Sequence, residues 1–122
     1  RLERRASEPT VWDAFLRYLA SAGYDVPLAV LGRDVTQPVA LTPELHRVLI
    51  EVYRKDAMTA SLCERMVDLD EGFQEWRYRH VKMVERTIGS KPGTGGSAGA
   101  PYLKTTLDKP FFPDLWAIRA EL

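Results

Sequence analysis

Cysteine is almost absent from this chain: Cys63 is the only one in 122 residues. A single thiol excludes an internal disulfide framework and any cysteine-rich zinc site, and it suits a reducing compartment. Cys63 falls within a helical pattern, where a small buried hydrophobe is the default reading. Histidine is nearly as scarce. His46 and His80 are the only two, neither sits in an HExxH or paired-cysteine spacing, and no Ser/His/Asp grouping can be built around them. Neither charge sign is in excess, since 17 basic residues balance 17 acidic ones. That neutrality gives no electrostatic case for nucleic acid or an anionic membrane surface. The sequence also lacks an apolar run long enough to span a bilayer, a signal-peptide pattern, an internal repeat and any useful stretch of strand-like alternation.

What is present is globular: 45% apolar and 28% charged residues, in a chain the size of one ordinary domain. Its opening, "RLERR", has no methionine and reads like the middle of a longer protein. In "TVWDAFLRYLASAG" the apolar residues Trp12, Phe15, Leu16 and Leu19 fall on one face of an amphipathic helix. Thr10 or Ser7 is the expected N-cap, and Gly23 suits the C-terminal end. Prolines 27 and 38 break the next stretch, where "PLAVLG" has room for one or two helical turns. A second firm helix opens with Thr42 as N-cap and Pro43 as its first residue, and buries Leu45, Val48, Leu49 and Val52. The longest predicted helix runs from about Met58 to Ile88, and a short C-terminal one offers Leu115, Trp116 and Ile118 for packing. The predicted fold is all-α: one helical segment over 1–122, with a helix too long for a free-standing domain of this size and therefore suited to a larger bundle.

Along the long helix runs a seam of Leu62, Met66, Leu69, Phe73, Trp76, His80, Met83 and Thr87, spaced alternately four and three apart. Such spacing places them on one side of a helix. His80 is therefore a polar side chain in an apolar row, and two readings stand. The commoner is a core histidine hydrogen-bonded to a neighbouring helix. The sharper is a metal or haem ligand, because neutral imidazole binds iron well and an apolar wall suits a porphyrin face. Arg77, Arg79 and Lys82 beside it read first as a solvated face, with pairing to haem propionates as the alternative. "DLDE", residues 68–71, also reads as surface.

The stretch "GSKPGTGGSAGAP", residues 89–101, holds five of the eight glycines. It fails as a phosphate loop, because no lysine followed by Ser or Thr comes directly after its last glycine, and it fails the GxGxxG spacing. A flexible linker and a folded ligand loop both remain open. Pro92 and Pro101 stiffen its ends, and Thr94 stands among glycines with hydroxyl and amide unobstructed.

The segments "WRYRHVKMVERTIG", "KPGTGGSAG" and "FFPDLWAIR", with "WDAFLRYL" and "SLCERMVD" before them, resemble the tryptophan 2,3-dioxygenase family across essentially the whole chain. The resemblance implies a haem b enzyme that cleaves the indole C2–C3 bond of L-tryptophan with O2 to give N-formylkynurenine, the first step of tryptophan catabolism. It implies that His80 is the proximal ligand to haem iron and that Thr94, fourteen residues on, holds the amino-acid end of the substrate. No acid–base residue is assigned to this segment. The resemblance further implies a cytoplasmic homotetramer whose N-terminal half supplies the distal pocket, so that this C-terminal portion is inactive by itself. Ala98 stands where many members have serine. The competing reading from the residues alone is a non-enzymatic helical interaction module in which 89–101 is a flexible linker.

Overall fold

The computed structural model describes residues 8–89 and 109–122, and all their regular structure is helical. The order is α1 (Val11–Ser21), α2 (Leu28–Leu31), α3 (Pro43–Lys55), α4 (Ala57–Ile88) and α5 (Pro113–Ala117), followed by a 3-10 turn at Arg119–Glu121. Two compact units divide the chain: Arg1–Glu64 with Phe111–Leu122, and Arg65–Pro110.

The first unit forms where the sequence periodicity requires it. At the start of α1, Thr10 and Asp13 satisfy each other's backbone amides, a reciprocal capping box. Gly23, one residue past the C-cap, takes φ +96, a conformation costly for any residue with a Cβ. Trp12, Phe15, Leu16 and Leu19 are buried as expected, and the Trp12 ring meets Phe15 at 5.5 Å and Phe112 at 5.8 Å between centroids. Pro43 opens α3, but the Thr42 side chain makes no capping bond. Its backbone N–H instead donates to Asp114 Oδ1 at 2.7 Å, and the same oxygen lies 2.9 Å from His46 Nε2. Asp114 has no exposure at all, so the start of α5 is tied by a buried carboxylate to the start of α3. Two further links reach across long sequence separations. Arg33 grips Asp13 through Nε at 2.6 Å and Nη2 at 2.9 Å, and Arg119 grips Glu64 through both terminal nitrogens at 2.8 and 3.0 Å. Such two-pronged arginine–carboxylate bonds fix direction as well as distance.

Asp56 joins α3 to α4 single-handed. It terminates α3, then accepts from the Thr59 amide at 3.0 Å and hydroxyl at 2.7 Å, while Ala60 N–H donates to its carbonyl. From there α4 continues without a break for 32 residues to Ile88, where Gly89 at φ +61 ends it. The predicted start at Met58 falls one residue inside the observed helix.

Candidate functional site

Helix α4 has two faces, and the inward one differs from the predicted seam. The buried positions are Thr59, Cys63, Met66, Val67, Asp70 and Val81, a line rotated from the seam and sharing only Met66 with it. Leu62, Leu69, Phe73, Trp76 and Met83 are exposed, Trp76 by 61% and Met83 by 56%. The seam is therefore real as a stripe on one side of the helix, but the stripe faces outward. Apolar residues outnumber what one face of α4 holds, so periodicity alone left two faces eligible for burial. A second correction concerns "DLDE". Asp68 and Glu71 are exposed, but Asp70 is fully buried. It stands seven, four and three residues beyond Cys63, Met66 and Val67, and helical register carries it inward with them whatever its charge.

His80 sits half-buried in that outward stripe. Its imidazole makes no hydrogen bond to any described residue. Among the described residues its one specific contact is the ring of Trp76, a turn earlier, with centroids 5.1 Å apart and planes 5° from parallel. N-terminal to that pair, Asp68, Leu69, Gly72, Phe73 and Trp76 line an almost wholly apolar recess of about 420 Å³. A Cβ added at Gly72 would meet nothing within 4 Å, so the recess floor is open there. The cations around His80 already have local partners. Arg79 pairs with Glu75 at 2.9 Å, Lys82 with Glu85 at 3.5 Å and with the Tyr78 ring at 5.6 Å, and Arg77 donates to the Lys109 carbonyl at 2.8 Å. The solvated-face reading fits Arg79 and Lys82, whose side chains are mostly exposed.

The second histidine does something else. His46 is engaged with buried Asp114 on α5, and among the described residues no three His, Cys, Asp or Glu side chains gather as a metal cage would require. Burial, reinforced by the nearby acids Glu64 and Asp56, pushes the Cys63 thiol up to about 12, so it stays protonated and serves as a core atom. Thr94 and the predicted substrate loop, apart from Gly89, lie outside the described residues. The sequence reading found His80 and its row, but it missed the Trp76 stack and the inward Asp70. The i, i+4 spacing of Trp76 and His80 was the available signal for the stack.

Fold and site together define a class: an all-helical protein that carries a half-buried imidazole on an outward-facing, largely apolar stripe of its longest described helix. Comparison with known proteins narrows that class. Residues 44–122 match the family model for tryptophan 2,3-dioxygenase. Curated proteins named tryptophan 2,3-dioxygenase align with the whole chain at 63% identity in Herpetosiphon aurantiacus, 56% in Anaeromyxobacter dehalogenans and 40% in Bacillus thuringiensis. The chain spans 46% of the length of the first two and 45% of the third. It belongs to the tryptophan 2,3-dioxygenase family, an oxidoreductase family. Among the described residues, no helix is long and apolar enough to cross a membrane.

Proposed function

We propose that this chain is the haem-bearing, C-terminal part of a cytoplasmic tryptophan 2,3-dioxygenase, with His80 as the axial ligand to the iron. One observation carries the reading: His80 presents an imidazole with no hydrogen bond to any described residue from an apolar stripe that faces outward. A core histidine of the ordinary kind would have been turned inward and hydrogen-bonded to a neighbouring element. The donor set fits haem b, which needs one nitrogen along its axis and an apolar surface against its plane, and the exposed Phe73, Trp76 and Met83 side chains supply such a surface. When bound, the haem supplies the iron that activates O2 for insertion across the indole C2–C3 bond of L-tryptophan, giving N-formylkynurenine. The chain's own residues hold and orient. His80 fixes the iron from a rigid helix, the stripe keeps water from the haem face, and Thr94 gives hydroxyl and amide to the carboxylate and ammonium ends of tryptophan. An N-terminal half of the same polypeptide, within a homotetramer, completes the distal pocket.

The test is made in the full-length enzyme. His80→Ala is expected to abolish stable haem binding and turnover, and a variant that purifies with wild-type haem content would overturn the assignment. Thr94→Ala is expected to raise the KM for tryptophan with little change in the haem spectrum, and an unchanged KM would remove Thr94 from the site.

A further inference from the structure

We propose that Trp76 is a positioning residue for His80: its indole, stacked flat on the imidazole, sets the rotation of that ring and so aims the nitrogen that bonds the iron. The inference rests on the reading of His80 as axial ligand. It begins from a degree of freedom. Histidine's second side-chain torsion joins a tetrahedral carbon to a flat ring, and such torsions are broad and roughly two-fold rather than held in sharp wells. A ligating histidine is ordinarily locked by a hydrogen bond from its other nitrogen to a carboxylate or carbonyl. No described residue makes that bond to His80. The ring nonetheless lies within 5° of the Trp76 plane, at 5.1 Å between centroids, an offset-stacked arrangement that aromatic pairs favour.

Helix geometry explains why Trp76 can do this. Side chains on a helix lean towards its N-terminus, so residue 80 lies back over residue 76, one turn below. An imidazole turned out of parallel would lose its overlap with the indole. The stack therefore selects one pair of rotations, and these leave the ring edge, where both nitrogens lie, free of the tryptophan. Phe73, three residues before Trp76, borders the same apolar recess as the indole, so the stacking platform is part of a wider apolar surface.

The experiment uses the full-length, haem-loaded enzyme and three variants: Trp76→Phe, which keeps a flat ring; Trp76→Leu, which keeps apolar bulk without one; and His80→Ala. The readouts are the iron–histidine stretching band of the ferrous protein by resonance Raman and the rate of haem transfer to apomyoglobin. The expected result for Trp76→Leu is a shifted and broadened band with haem released roughly threefold to tenfold faster, the scale of one lost aromatic contact. Trp76→Phe should restore a single narrow band and most of the slow release. Leu and Phe variants that behave alike, or a Leu variant with the wild-type band and release rate, overturn the role of Trp76 while His80 stands. A band that survives in His80→Ala overturns the axial assignment itself, and this inference with it.

Discussion

Asp114 shows what one side chain does when it has no solvent. Its Oδ1 accepts from the Thr42 amide and meets His46, while Oδ2 is buried with no hydrogen-bond partner among the described residues. Burial raises its carboxyl above the ordinary range, and the bonds from Thr42 and His46 oppose that rise without cancelling it. The residue is therefore held for its geometry more than for its charge. Asp114→Ala strands the Thr42 amide and the histidine together and is expected to cost about 1–3 kcal/mol. Asp114→Asn keeps an acceptor for Thr42 and removes a charge from the interior, so its cost should be smaller. Urea unfolding of both variants measures the difference. An Asn variant as weak as the Ala variant would mean that the charge itself holds α5 in place.

The elements divide into those whose neighbours the sequence could name and those it could not. Helices α1, α3 and α5 were legible because each has one apolar face, and Trp12, Leu45 and Leu115 are all buried where the periodicity put them. Thr42 is the N-cap of α3 as read, but its hydroxyl makes no capping bond, and nothing local in "LTPEL" reveals that an aspartate 72 residues away will take the Thr42 amide. Helix α4 was legible in extent, not in orientation. It carries apolar residues on two sides, and which side turns inward depends on packing that single-sequence periodicity does not encode. Gly72 gives this helix a test of its own. A methyl group there meets open space, so Gly72→Ala is expected to stabilise the isolated chain by about 0.5–1 kcal/mol through helix propensity alone. In the complete enzyme the same change intrudes on the recess beside Trp76. Thermal melts of the two forms should therefore move in opposite directions if the recess is filled there, and together if it is not.

At the scale of the whole molecule, stability depends on pH through carboxylates that differ in sign. Asp13 is pushed up by burial, but its bonds from Arg33 and Thr10 outweigh that and leave its carboxyl below the ordinary value. Asp56 is lowered by the two bonds from Thr59. A lowered carboxyl contributes stability that is complete above its unfolded value of about 4 and is lost as the pH falls below it. Asp114 runs the other way, because a raised carboxyl takes stability away as the pH rises through its folded value. Denaturation midpoints followed from pH 7 to pH 2 should fall in acid, and Asp13→Asn should flatten that decline while lowering the neutral midpoint. A decline of unchanged steepness would assign acid sensitivity to other groups. The candidate site divides in the same manner as the fold. His80 and its row were readable because a histidine among regularly spaced apolar residues is unusual, whereas the outward direction of that row was not readable.

The unbroken run of α4 has a consequence for how its gene can change length. His80 stands 24 residues beyond Asp56 on one continuous helix. Each inserted residue advances everything after it by about 1.5 Å and turns it by about 100°. A single insertion or deletion between Leu69 and His80 would thus swing the imidazole off the line of the stripe residues before it without disturbing one hydrogen bond of the cap. A change of seven would restore the direction to within about 20° but displace it by roughly 10 Å. Substitutions in this stretch are graded in effect, but changes of length are not. The number of residues between Leu69 and His80, and so the reading frame of that stretch of helix, is itself part of the candidate site.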